Sequence, residues 1–259
     1  MDLGLSGRCA LVFGGSRGLG LACATQLSCE GVQVVLAART VATLEQAASA
    51  IGERSGQPVR WVVADITTEA GRDAALQACP TPDILINNAD GMPPGDFRQW
   101  RPDTWHAALD SMMIGPIEMI RRSVDGMMER RFGRIVNIVS RSVKHAQIEL
   151  GLSNGARSGL VGFVAGLARQ TVRHNVTINN LLPGVFATDA QRDHTRGLVA
   201  STGKTFEQLW QERGSQNPAG RFGQAHEFGA YCAFLCSQQA AYINGQNLLI
   251  DAGAYPGTF

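Results

Sequence analysis

Near its amino terminus the chain reads Gly14-Gly15-Ser16-Arg17-Gly18-Leu19-Gly20, directly after an apolar run and before a helical-length segment. Glycines at 14, 18 and 20 let backbone approach a phosphate closely and open a helix whose first N–H groups face that charge. The spacing is G-x-x-x-G-x-G, not the commoner G-x-G-x-x-G. The order strand, turn, helix is what gives it weight, since glycine also simply makes turns. The chemistry implied is the binding of a dinucleotide. The next apolar run ends Leu36-Ala37-Ala38-Arg39, with no carboxylate where an unphosphorylated ribose wants one. Arg17 and Arg39 together would accept a 2′-phosphate through charge-assisted, often bidentate hydrogen bonds, which favours NADP(H) over NAD(H). Taken singly, each could equally be a solvated surface arginine. Farther along, Lys144 and His145 pair an ammonium with an imidazole, the side chain type whose ordinary titration lies near neutrality. A solvated loop pair is the alternative.

The elements that must position these residues are legible as short apolar runs alternating with helical segments. Strands are predicted at Cys9–Phe13, Val32–Ala37, Val59–Val63, Ile84–Ile86, Arg134–Val139, Thr177–Leu182 and Asn247–Ile250. Several are apolar on successive residues, as parallel strands covered on both faces must be. Helices are predicted at Gly18–Glu30, Val41–Arg54, Glu69–Cys79, Pro102–Arg131, Leu152–Arg173 and Ala225–Ser237. This alternation predicts an α/β single-domain Rossmann fold over residues 1–259: a doubly wound, seven-stranded parallel sheet with helices on both faces. Residues 186–217 break the rhythm, being polar with a helical patch around Phe206–Arg213. An insertion after a late strand lies near the carboxyl edge of the sheet, so a substrate lid is expected, with an inert excursion as the alternative. Phe206, Leu209 and Trp210 share a helical stripe that either covers an apolar ligand or packs the segment onto the body.

A net charge of +1 gives no electrostatic case for nucleic acid or an anionic membrane. No apolar run approaches the roughly 20 residues a membrane span requires, and the start Met1-Asp2-Leu3-Gly4 does not read as a signal peptide. The six cysteines form no CxxC pair and no metal site is expected. Cys9 and Cys23 lie in apolar runs, where cysteine acts as a small hydrophobe, and Cys232 and Cys236 have one-turn packing spacing. A reducing cytoplasm is the natural compartment.

Asp65 after the third strand, Asn87-Asn88-Ala89 after the fourth, Ile135-Val136-Asn137-Ile138-Val139-Ser140, Asn180-Leu181-Leu182-Pro183-Gly184 and Asp251-Ala252-Gly253 join the glycine turn as landmarks. With them the chain resembles the short-chain dehydrogenase/reductase superfamily over nearly its whole length, and within it a divergent 3-oxoacyl-(acyl-carrier-protein) reductase-like branch. The resemblance implies a cofactor site of Gly14, Ser16, Arg17, Gly18, Leu19, Gly20 and Arg39. It also implies Asp65 and Ile66 at the adenine, Asn87 and Ala89 at the ribose region, and Pro183 and Gly184 at the nicotinamide. Enzymes of this superfamily move a hydride between nicotinamide and a carbonyl or alcohol carbon. A serine orients the oxygen, a tyrosine passes the proton, a lysine lowers the tyrosine's pKa and grips the ribose, and an asparagine holds a relay water. By that register Ser140 is the serine, while Ser153 stands for the tyrosine, Arg157 for the lysine and Met112 for the asparagine. Phe13 stands for a usual threonine, and Asp90 for the glycine after Asn-Asn-Ala.

A serine hydroxyl is too weak an acid to replace a phenol, and a guanidinium cannot relay protons near neutrality. The expected catalytic set is Ser140, Ser153 and Arg157, with Arg157 also holding the ribose. Candidate proton donors are His145, Lys144, Asp90 on the nicotinamide side, Tyr255 of the carboxyl tail, or water. Two functions are carried forward. One is an NADP(H)-dependent oxidoreductase acting on a small carbonyl or alcohol substrate. The other is a cofactor-binding, catalytically impaired or non-redox homologue serving as sensor or partner subunit. Family habit implies a homotetramer or homodimer.

Overall fold

The hydrophobic pattern resolves into seven parallel strands among the residues described, 1–258 of the computed structural model. They are β1 (Cys9–Phe13), β2 (Gln33–Ala38), β3 (Arg60–Val63), β4 (Ile84–Asn88), β5 (Gly133–Ile138), β6 (Val176–Pro183) and β7 (Asn247–Ile250), in spatial order β3-β2-β1-β4-β5-β6-β7. Strand order reverses between β1 and β4, which opens a crevice at their carboxyl ends. Successive residues of a strand feed opposite faces. Ala10 and Val12 join the core under α1 (Gly18–Cys29), α2 (Val41–Ser55) and α9 (Ala225–Cys236). Leu11 and Phe13 join the core under α3 (Glu69–Ala78), α5 (Gly115–Glu129) and α6 (Gly151–Thr171). This two-sided burial is why the strands read as unbroken apolar runs.

The long helix predicted over Pro102–Arg131 is interrupted. It forms α4 (Pro102–Leu109), a π-turn over Asp110–Ile114, and then α5. Pro116 lacks the N–H that would bond four residues back, and the Gly115 N–H reaches Asp110 O instead, widening the turn. The 186–217 segment holds two helices where one was predicted, α7 (Asp189–Thr202) and α8 (Phe206–Ser215). The Thr188 side chain caps α7, and Thr205 with Gln208 forms a capping box on α8. These caps stabilise helices whose sequences are largely polar.

Across β4 to β7 four asparagines in register form an amide chain, buried at Asn87, Asn137 and Asn180. Asn87 Nδ2 donates to Asn137 Oδ1 at 2.9 Å, Asn137 Nδ2 to Asn180 Oδ1 at 2.9 Å, and Asn180 Nδ2 to Asn247 Oδ1 at 2.8 Å. Asn137→Leu strips partners from two buried amides, so it should cost about 2 kcal/mol in urea unfolding. An unshifted midpoint would show that these amides do not act as a stabilising unit.

Candidate active site

The glycine turn sits at the reversal point, pinned to the sheet by Gly14 N donating to Ala37 O at 2.9 Å. Gly14 and Gly20 are glycines for packing reasons. A Cβ on Gly14 would lie 2.5 Å from Asn88 Nδ2, and one on Gly20 would lie 2.2 Å from Gly14 O. Gly18 shares the left-handed φ of Gly14, +58° beside +59°, but a Cβ there would meet only Thr188 Cγ2, at 3.9 Å. The space above it is a cradle that any side chain would fill, at the start of α1, whose first turn holds no acid. A pyrophosphate fits that cradle and the positive helix end.

The cleft above the turn holds about 540 Å³. Gly14, Ser16, Arg17, Gly18, Leu19 and Arg39 line it, as do Asp65, Ile66, Ala89, Pro183 and Gly184. Three expected contacts, Gly20, Asn87 and Arg157, do not. Gly20 lies beneath the turn, and Asn87 is 2% exposed with its amide committed to Asn137. Asn88 lines the cleft in its place and donates to Gly14 O at 3.2 Å. Strand alternation explains the switch: residue 87 points into the sheet interior and residue 88 toward the turn. Thr188, Asp189, Gln191 and Asp193, from the start of α7, also line the cleft. Sequence reasoning missed them because only the threonine cap, Thr188, marks that helix start.

Asp90 pairs with the two arginines that follow β1 and β2: Arg17 Nη2 stands 3.2 Å from each carboxylate oxygen and Arg39 Nη2 donates to Oδ2 at 2.5 Å.

Ser140, Ser153 and Arg157 lie behind the cleft wall formed by Ala89 and Gly91, with Arg157 as the tie between them. Arg157 Nη1 donates to Ile138 O and Val139 O, both at 2.9 Å, so it grips the end of the strand that carries Ser140. Its Nε donates to Ser153 Oγ at 3.1 Å, and its Nη2 lies 3.5 Å from Ala89 O. Burial pushes this guanidinium down to about 10, with the Asp90 carboxylate opposing the shift, so it stays charged at neutral pH. Ser140 Oγ accepts from Ser142 N at 3.1 Å, capping the short turn Arg141–Val143. Both serine oxygens are thus used as acceptors, and each keeps a hydroxyl proton to donate.

Met112 is buried with Ala108, Leu152 and Ala156, placing a dry apolar contact beside Ser153 on the helix below. Phe13 is 2% exposed and closes the cleft floor from the core side. The Tyr255 ring centroid lies 6.4 Å from that of His145 and 6.0 Å from Lys144 Nζ. The tail therefore returns over the loop after Ser140 in its own chain, and its Tyr255 N donates to Asp251 Oδ2 at 2.9 Å. Tyr231 sits in α9 and Tyr242 is fully exposed, so neither approaches the serines.

Outside the site, the aromatic stripe of α8 packs inward. Trp210 lies between Phe206 and Phe222, at centroid distances of 5.6 and 4.2 Å, and Leu209 is buried. Cys9 is not simply a small hydrophobe: its Sγ is 3.2 Å from Cys79 Sγ. The hydrogen bond from Cys79 holds the Cys9 thiol down at about 7, and the same contact raises Cys79. Sequence distance hid this pair. Cys23, Cys232 and Cys236 are buried in one core, as packing predicts.

Residues 14–255 match the enoyl-(acyl carrier protein) reductase family. The chain is also 31% identical over 262 residues to the 3-oxoacyl-(acyl-carrier-protein) reductase of Vibrio harveyi, covering 98% of this chain and 99% of that one. This chain belongs to the short-chain dehydrogenase/reductase superfamily. Another member, an NADPH-dependent reductase of Bacillus subtilis, is 29% identical over 255 residues, 96% of this chain and 98% of the relative. A third, the L-sorbose reductase from Gluconobacter frateurii in complex with NADPH and L-sorbose, has a TM-score of 0.93 at 28% identity over 98% of each chain. Membership places the chain among oxidoreductases and accounts for the strand order and the glycine turn. Among the described residues no helix is long and apolar enough to cross a membrane.

Proposed function

We propose that this chain is an NADP(H)-dependent reductase for a small carbonyl compound, or its reverse on an alcohol. The observation that carries the reading is the Arg157 tie, which joins two proton-donating serine hydroxyls to the wall of a dinucleotide cleft. NADPH, when bound, supplies the hydride to the carbonyl carbon. Ser140 and Ser153 donate to the carbonyl oxygen and stabilise the charge that develops on it. Arg157 fixes both serines and turns its remaining Nη2 hydrogen toward the ribose. The oxygen takes its proton from the Lys144, His145 and Tyr255 group or from water. Without a tuned phenol, a loss of about 10²–10⁴-fold in rate is the usual consequence, so turnover is slow. The α7–α8 segment acts as a lid, hinged where Ala187 N donates to Gly223 O at 2.8 Å and Gly223 N to Val185 O at 3.0 Å.

NADP(H) is favoured over NAD(H) because Arg17 and Arg39 converge at the adenosine end of the cleft. An Arg17→Ala, Arg39→Ala variant should weaken NADPH binding by about 30-fold, from roughly 1 kcal/mol per exposed charge contact, and NADH binding by less than threefold. Fluorescence titration measures both, and equal losses for the two cofactors would refute the assignment. The chain works in the cytoplasm as a homotetramer or homodimer. Support for assembly comes from edge strand β7, whose Leu248, Leu249 and Ile250 are only half-buried, and from exposed Phe163 on α6. Single-turnover transfer of deuterium from labelled NADPH to ketones and 3-oxoacyl thioesters tests the reaction. Tight cofactor binding with no label in any product would leave a cofactor-binding homologue instead.

A further inference from the structure

The three charges at the adenosine end of the cleft come from three separate strand ends. Arg17 follows β1, Arg39 follows β2 and Asp90 follows β4. Arg17 Nη2 straddles the Asp90 carboxylate, 3.2 Å from each oxygen, while Arg39 Nη2 holds Oδ2 at 2.5 Å. Both arginines and Asp90 are more than half exposed, so solvent anions and ligands reach them. The carboxylate therefore stands between the two guanidiniums that a 2′-phosphate would need.

We propose that Asp90 is an internal competitor for the 2′-phosphate: NADP(H) binds by exchanging its phosphate for this carboxylate between Arg17 and Arg39. The proposal rests on the NADP(H) reading above and extends it, because Asp90 then sets how strongly the site discriminates between phosphorylated and unphosphorylated cofactor. The exchange is a side-chain event. Ser111 Oγ lies 3.4 Å from Asp90 O and Arg157 Nη2 lies 3.5 Å from Ala89 O, so the backbone on which Asp90 turns is held. A phosphate monoester brings about −1.5 to −2 charge and three acceptor oxygens against one charge and two oxygens, so it displaces the carboxylate. A ribose hydroxyl brings no charge and leaves the carboxylate in place as an acceptor for the 2′-OH. Asp90 thus lowers affinity for the phosphorylated cofactor without lowering it for the other.

Calorimetric titration of Asp90→Asn with adenosine 2′,5′-bisphosphate and with ADP reads this without turnover. The bisphosphate should bind about five- to tenfold more tightly than to the wild type, and ADP equally well or more weakly. In an Arg17→Ala, Arg39→Ala background the same change should yield no gain, since the competed-for groups are gone. Asp90→Gly provides a second variant in case the asparagine rebuilds a hydrogen bond to either arginine. Unchanged or weaker bisphosphate binding in both variants would overturn the exchange, provided the two arginine substitutions still weaken NADPH binding more than NADH binding. Equal weakening of both cofactors by those substitutions would instead point to failure of the NADP(H) reading itself.

Discussion

Arg157→Met is expected to lower the free energy of unfolding by about 3 kcal/mol, in the range for breaking a buried polar network. At this chain length that corresponds to a fall of roughly 6–12 °C in melting temperature. Replacing a buried cation with an apolar side chain of similar size can be neutral when its partners leave with it. Here they remain. Ile138 O, Val139 O and Ser153 Oγ each lose a donor in a region where Arg157 itself is only 8% exposed. Each stranded acceptor costs on the order of 1 kcal/mol or more. Arg157→Lys should recover part of the loss, because an ammonium keeps the charge and three donors but lacks the planar fork that reaches both carbonyls and Ser153 at once. Differential scanning calorimetry orders the three proteins. A Met variant that melts with the wild type would mean that the fork does not hold the strand end.

That dual role of Arg157 was not readable from its position in the chain. Strand order, helix placement and the glycine turn follow from local pattern: apolar runs of strand length, glycines where a Cβ would strike Asn88 or Gly14, and periodic helices between them. The cleft contacts at Arg17, Arg39, Asp65 and Ile66 follow too, because strand ends on a parallel sheet share one edge. What local pattern does not encode is direction and long-range pairing. Residue 87 instead of 88 was expected in the cleft, and only the pleat decides between them. Local pattern also gives no sign of the pairing of Asp90 with Arg17 and Arg39, which lie 73 and 51 residues away. The Cys9–Cys79 contact and the fold-back of Tyr255 onto His145 are likewise meetings of distant segments. The helix at Asp189 was missed for the opposite reason: its sequence is polar, and its stability comes from a cap and from cation contacts such as Arg192 over Trp210, at 4.8 Å.

Removing the donor hydroxyl at Ser140 should have the largest effect on chemistry. Ser140→Ala is expected to reduce kcat/KM for carbonyl reduction about 100-fold, the usual scale for losing one oxyanion donor, with NADPH affinity unchanged. Ser153→Ala should act on the same oxygen, and the double variant should lose less than the product of the two single losses, since either hydroxyl alone leaves the oxygen poorly held. Alanine at 140 also removes the acceptor for Ser142 N, so a disturbed turn could mimic a chemical defect. Ser140→Asp separates the two roles. An ionised carboxylate can accept from Ser142 N and restore the cap, yet it has no proton to donate to a substrate oxygen. If the hydroxyl proton is what matters, the aspartate variant melts near the wild type and stays as slow as the alanine variant or slower. If activity returns with the cap, Ser140 serves as a turn residue and the oxygen is held by something else.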